Sequence, residues 1–227
     1  MKILSITTSS PICGVAILED SNLIKEINLN NGLTHSETLM PLISQILDET
    51  NLKLDNIDLL AVDIGPGSFT GIRIGVSTAK AFVDSLGLKA VGISSLEALS
   101  LNSKSSGIIC SSIDAKKGNV YNEIFEYTSE QVLPKRNASF DSIDDLLLEL
   151  KNISPEYNIT FVGDGAIAHK DKILNTLPKS SFIEDNDISA LNVGLYGLNQ
   201  FKTGNLSDIE PLYIRKTDAE EKLGTVN

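Results

Sequence analysis

The chain has 227 residues, 41% of them hydrophobic and 22% charged, which supports a packed core and excludes wholesale disorder. Nineteen Lys and Arg against 30 Asp and Glu leave a net charge of −11. The acidity is even, with 6 basic against 11 acidic groups over 1–100 and 13 against 19 over 101–227, so there is no basic stripe to neutralise nucleic-acid phosphates.

Residues 2–7, 13–19 and 22–28 read as three strands, with Asp20-Ser21-Asn22 as the tight turn of the second pair. Thr34 with Glu37 forms a capping-box pattern, and Leu39, Leu42, Ile43, Ile46 and Leu47 carry a helix to Thr50, which Pro41 should kink or restart. The apolar run 57–64 predicts a buried central strand. Gly65-Pro66-Gly67-Ser68-Phe69-Thr70-Gly71 follows and opens a helix carrying Ile72, Ile74, Val76, Ala79, Phe82 and Val83 to about Gly87. A short strand at 89–93 and a second capping box, Ser94 with Glu97, lead to Leu101. The stretch 102–107 is linker-like and is the expected boundary between residues 1–102 and 103–227. Beyond it the pattern predicts strands at 108–114, 119–127 and 130–136, a helix at 141–151, a strand at 159–163, a helix at 188–202 and a tail from 208. The segment 188–227 is expected to pack back on the first lobe. Three antiparallel strands feeding a βαβα arrangement fit an α/β fold of two ribonuclease H-like lobes, the architecture of the actin-like ATPase superfamily of actin, sugar kinases and heat-shock chaperones.

No run approaches a membrane span, the MKILSITTSS start lacks a signal-peptide core, and Cys13 with Cys110 makes no disulfide framework, so a cytoplasmic protein without membrane contact is expected. The Gly65–Gly71 loop follows a strand and starts a helix, so its backbone N–H groups could meet an anion. Its spacing is neither a Walker loop nor a dinucleotide fingerprint, and a tight strand-to-helix turn explains the glycines equally well. Gly65, Gly67 and Ser68, with Gly163 and Gly165 of a second strand–turn–helix junction, are therefore the candidate cofactor-binding residues, and no cofactor is expected. Arg73, one turn into the helix, could pair with a phosphate or with a neighbouring acidic subunit. His35 has Leu39 where a helical zinc pair needs a second histidine, so no metal site and no catalytic residue is expected. The first strand ends in hydroxyls, Thr7, Thr8 and Ser9, without the aspartate that organises magnesium in actin-like ATPases.

Ser5–Ser9, His35-Ser36-Glu37 with Met40-Pro41, the GPGSFTGIRIG block from Gly65 to Gly75, Ser94–Leu99, Ile113-Asp114-Ala115, Val162–Ala166 and Pro211–Arg215 fall in one family's order. Across nearly its whole length the chain resembles the TsaB (YeaZ) family of bacterial tRNA threonylcarbamoyladenosine biosynthesis proteins, and the GPGSFTGIRIG block carries most of the specificity. The resemblance implies a non-catalytic scaffold that activates the paralogous transferase TsaD together with the ATPase TsaE. It implies a homodimer in isolation and contact with tRNA only through the complex. It places the partner interface on the two apolar helices, through His35, Leu39, Met40, Ile43, Ile72, Arg73, Ile74, Val76 and Ala79. The alternative is an active nucleotide hydrolase or metallopeptidase of the glycoprotease-like superfamily.

Overall fold

In the computed structural model, which describes residues 1–30, 32–104, 106–128, 132–153 and 158–215, the chain builds two five-stranded sheets with the same wiring. In the first, β1 (Lys2–Thr7), β2 (Cys13–Glu19) and β3 (Asn22–Leu29) form an antiparallel meander. β4 (Leu59–Gly65) and β5 (Lys89–Ser94) then add in parallel on the far side of β1, giving the order β3-β2-β1-β4-β5. The second sheet repeats this with β6 (Gly107–Asp114), β7 (Asn119–Tyr127) and β8 (Val132–Ser142) as the meander and β9 (Ile159–Val162) and β10 (Ser181–Phe182) in parallel, in the order β10-β9-β6-β7-β8.

The helices fill three layers. α1 (His35–Glu49) and α2 (Phe69–Leu86) cover the outer face of the first sheet, where Leu4, Ile6, Val15 and Ile17 meet Leu39, Ile43, Ile46, Ile72 and Val76. α3 (Ser95–Ser100) and α7 (Ala190–Thr203) lie between the sheets, so Ile3, Leu18, Leu59 and Val91 share one core with Leu96, Leu99, Val193, Ile109 and Phe125. α4 (Ile143–Ile153), α5 (Asp164–Ala168) and α6 (Lys170–Thr176) cover the outer face of the second sheet around Cys110, Ile124 and Phe161. Strands with both faces covered have no need for polar alternation, which is why β4 reads as an apolar run and β1 buries residues on both faces. α7 lies against the first sheet at close range. A Cβ on Gly197 would stand 2.7 Å from the Ala61 Cβ, and Ser5 Oγ donates to the Ala190 carbonyl at 2.6 Å.

Several expectations shift. α1 runs through Pro41 as one helix; Pro41 is exposed, so its missing N–H falls on the solvent side. The α1 capping box forms as expected, with Glu37 Oε2 accepting from Thr34 N at 3.2 Å and also taking the Thr34 hydroxyl at 2.6 Å. The strand expected at 130–136 extends to Ser142, with residues 129–131 outside the described ones, and the helix expected at 141–151 starts at Ile143. α6 and β10 were not expected, because seven residues and two residues give periodicity too little length to register. From Lys216 onward the expected tail lies outside the described residues.

Candidate functional site: a closed loop, an interlobe cleft and a helix face

At the end of β1 the hydroxyl cluster closes on Asp63 of β4, a residue the apolar run concealed. Asp63 is 1% exposed. Its Oδ2 accepts from Thr7 Oγ1 at 2.7 Å and from Ser9 Oγ, and its Oδ1 accepts from Ser95 Oγ at 2.6 Å and from Gly65 N at 3.0 Å. Burial pushes this carboxyl above the ordinary aspartate range, and the four donors work against that. The signal that could have found it is an ionisable residue deep inside a strand expected to be dry on both faces.

The Gly65–Gly71 loop is spent on this junction. Ser68 N donates to the Ser9 carbonyl at 2.7 Å, and the Ser68 hydroxyl caps α2 by accepting from Gly71 N at 3.2 Å. A Cβ on Gly67 would strike the Ser9 carbonyl oxygen, and one on Gly71 would strike that of Thr8. Gly65 turns the chain into a cis peptide with Pro66, and its φ of 100° lies in the left-handed region. The second junction repeats the pattern, since a Cβ on Gly163 would meet the Ser112 carbonyl and one on Gly165 would stand 2.9 Å from the Ile113 carbonyl carbon. The Cα faces of these glycines pack against protein, which accounts for glycine at each position, while Gly67 and Ser68 also border the cleft between the lobes. His35, beside the loop, donates from Nε2 to the Ser10 carbonyl at 2.9 Å.

Between the lobes lies a cleft of about 480 Å³. Ser9, Ser10, Gly67 and His35 line one wall; Asp114, Lys116, Asp164, Asn186 and Asp187 line the other. The Asp114 carboxylate holds Lys116 Nζ at 2.6 Å, and Asp164 Oδ1 accepts from Asp114 N at 3.0 Å, so both acids are engaged within the second lobe. Among the described residues no three His, Cys, Asp or Glu side chains converge as a metal-binding group. Burial pushes the Cys13 thiol up to about 11 and the Cys110 thiol up to about 12, so neither is a thiolate at neutral pH.

The two outer helices divide the expected interface residues. Leu39, Ile43, Ile72, Val76 and Ala79 are 0–3% exposed and belong to the core under the first sheet. Their own chain covers them, which corrects the expectation that they contact a partner. His35, Met40, Arg73 and Ile74 stay at least partly accessible, with Met40 49% exposed.

Residues 31–221 match the family model "tRNA N6-adenosine threonylcarbamoyltransferase", TsaD. The TsaB protein of Bacillus subtilis, a "tRNA threonylcarbamoyladenosine biosynthesis protein", is 29% identical over 229 residues, covering 98% of this chain and 97% of that one. The chain belongs to this family, in its TsaB (YeaZ) branch. A YeaZ structure from Pseudomonas aeruginosa superposes with a TM-score of 0.75 at 19% identity, covering 93% of this chain and 99% of that one. The fold reaches further, to a ROK hexokinase of Thermus thermophilus with a TM-score of 0.51 at 9% identity, covering 90% of this chain and 100% of that one. The architecture is thus the expected pair of ribonuclease H-like lobes of the actin-like class. In this TsaB-family chain no helix among the described residues is long and apolar enough to cross a membrane.

Two further groupings escaped the sequence reading. The first is an acid cluster between the lobes. Glu97 Oε2 accepts from Ser94 N at 2.8 Å, Tyr196 of α7 hydrogen-bonds the Glu97 carboxyl, and Glu123 of β7 lies close enough to feel its charge. Burial, and then repulsion from Glu97, pushes the Glu123 carboxyl up to about 8. The second is a stack on α2, where the Phe69 and Tyr213 rings lie 4.3 Å apart at 15° with the Arg73 guanidinium 4.4 Å above Phe69. Spacing could not reveal either grouping, since Arg73 and Tyr213 are 140 residues apart in sequence.

Proposed function

We propose that the chain is a non-catalytic partner subunit that binds and activates a TsaD-type transferase together with a TsaE-type ATPase. Involvement in tRNA threonylcarbamoyladenosine biosynthesis follows from its TsaB family. The observation that supports the partner role is the use of the Gly65–Gly71 loop in the chain's own packing: Ser68 N donates to the Ser9 carbonyl, and the Cα faces of Gly67 and Gly71 lie against the Ser9 and Thr8 carbonyls. A glycine loop committed to holding its own lobe together is suited to shaping a neighbour. The net charge of −11 supports contact with tRNA only through the complex. In isolation the chain pairs with a second copy through the outer faces of α1 and α2, the surface it exchanges for the transferase.

Co-purification from the native extract followed by pairwise titration tests this reading. A TsaD-type subunit should be recovered, and Ile74→Glu or Met40→Glu should abolish both self-association and the heterodimer while the thermal midpoint stays within a few degrees. ATP or peptide turnover by the isolated chain that is lost on mutating cleft residues would replace this reading with an enzymatic one.

A further inference from the structure

α2 turns one cation outward in an unusually fixed state. Arg73 is exposed, yet its Nε donates to Tyr213 Oη at 2.9 Å and its plane lies over Phe69. Tyr213 is held in turn. It stacks on Phe69, and its segment is tied to the first sheet by Leu212 N donating to the Ile64 carbonyl at 2.8 Å and to α2 by the Lys80–Glu210 ion pair. With Nε occupied, the two Nη groups form an outward fork with its rotamer already chosen. Most of the ordering entropy of a long side chain is therefore lost before binding. Arg, Tyr and Phe together are also the residue types that concentrate binding energy at protein interfaces.

We propose that this fork is the anchor of the docking face and that it receives a side-chain carboxylate of the partner subunit in a bidentate pair. The inference rests on the partner-subunit reading above and deepens it by naming the chemistry of the contact. Charge decides the occupant. One planar fork matches one carboxylate. A nucleic-acid backbone would need several cations together. Lys80, one of the cations on the same helix, is already neutralised by Glu210, and the chain carries a surplus of 11 acidic groups. The flank of the fork, Thr70, Ser77 and Ala81, is exposed and short, so a partner helix can approach to salt-bridge range.

The test is calorimetric titration of the purified chain against the purified TsaD-type subunit of the same organism. Arg73→Ala should weaken binding by about 30-fold or more. Arg73→Lys should weaken it by about 10-fold, because an ammonium cannot make the bidentate pair. Tyr213→Phe, which frees Nε and keeps the stack, should cost about 3-fold and leave the thermal midpoint unchanged. Replacing the partner's acidic residues by their amides one at a time should find a position whose loss is not additive with Arg73→Ala. If Ile74→Glu abolishes association while Arg73→Ala leaves it intact, the docking reading stands and the anchor is wrong. If none of these substitutions weakens binding, both are wrong. If Arg73→Ala spares the partner but weakens binding of labelled tRNA to the isolated chain, the fork reads phosphate and the proposal is overturned.

Discussion

The two lobes share a strand order and differ in how each closes the end of its first strand. In the first lobe Thr7, Ser9 and Ser95 all donate to Asp63, and α2 runs for 18 residues from the junction. In the second lobe the corresponding strand, β6, carries Ser111 and Ser112 near its end, whose hydroxyls have no hydrogen-bond partner among the described residues, and the helix after the junction is only 5 residues long. One wiring diagram has thus produced a satisfied polar knot in one copy and an unpaired one in the other. Buried hydroxyls cost little beside an acceptor and are a liability without one, so the first junction should be a stability centre and the second tolerant.

The largest expected effect tests the knot at its centre. Asp63→Ala removes the acceptor of three buried hydroxyls and should destabilise the protein by about 3 kcal/mol or more. Asp63→Asn keeps the volume but turns an N–H₂ toward donors, so it should lose nearly as much. Denaturant midpoints with unchanged slopes would measure both. A loss below about 1 kcal/mol would mean that the hydroxyls find other acceptors and that the two junctions are alike.

Gly71→Ala should rank next. The new methyl would strike the Thr8 carbonyl and stand 3.0 Å from His35 Cδ2, and backbone cannot yield as a flexible side chain does. Overpacking of this kind costs about 1–3 kcal/mol. Gly71 is helical within α2, so its cost is steric; Gly118→Ala, whose Cβ meets nothing within 4 Å, would report the opposite case, left-handed backbone without a clash.

A third test concerns the seam between the lobes. The carboxyl of Glu123 is held up to about 8 by burial and by Glu97, whereas in the unfolded chain it titrates near the ordinary glutamate value. Below that ordinary value both states carry the proton and the site is neutral for stability. As pH rises toward 8 the unfolded chain releases the proton first, so stability falls through this window and the loss is complete above the folded value. Burial holds Glu97 up as well, which adds in the same direction, and Tyr196 extends the trend at higher pH. Unfolding free energies should fall between about pH 5 and pH 8 by on the order of a few kcal/mol, and Glu123→Gln should flatten the slope. A wild-type profile that is flat over this range would remove the seam from the comparison.

Much of this was legible in the sequence. β1, β2 and β7 fall within the expected ranges, because segments rich in β-branched, aromatic and other apolar residues between turn signals announce strands. The GPGSFTGIRIG block marks its junction correctly, yet its chemistry does not follow from its glycines. The same spacing serves a phosphate cradle or a backbone contact, and only the positions of Thr8 and Ser9 reveal the backbone contact made here. The expected interface erred for a related reason. Helical periodicity shows which residues are apolar, but the share absorbed by the chain's own sheet depends on how closely the sheet is covered. Leu39 and Ile72 therefore vanish into the core while Met40 stays out. Asp63 with Ser95, Glu97 with Glu123 and Arg73 with Tyr213 are tertiary pairs, and a single sequence carries no trace of such partnerships.

The smallest effect gives the sharpest discrimination between the lobes. Ser112 is 2% exposed on β6 and its Oγ lacks a partner among the described residues, whereas Ser9 is 3% exposed and its Oγ donates to Asp63. Alanine at either site removes one oxygen of the same size from a buried position, so cavity and transfer terms nearly cancel in the comparison. What differs is the bond. Ser9→Ala strips a donor from a buried carboxylate and should cost about 1–2 kcal/mol. Ser112→Ala deletes an unsatisfied group and should be neutral within about 0.5 kcal/mol, or stabilising. The two variants made in one background and unfolded in urea give the difference directly. If Ser112→Ala costs as much as Ser9→Ala, the second junction holds a polar partner of comparable strength, and the asymmetry between the lobes lies in helix length alone.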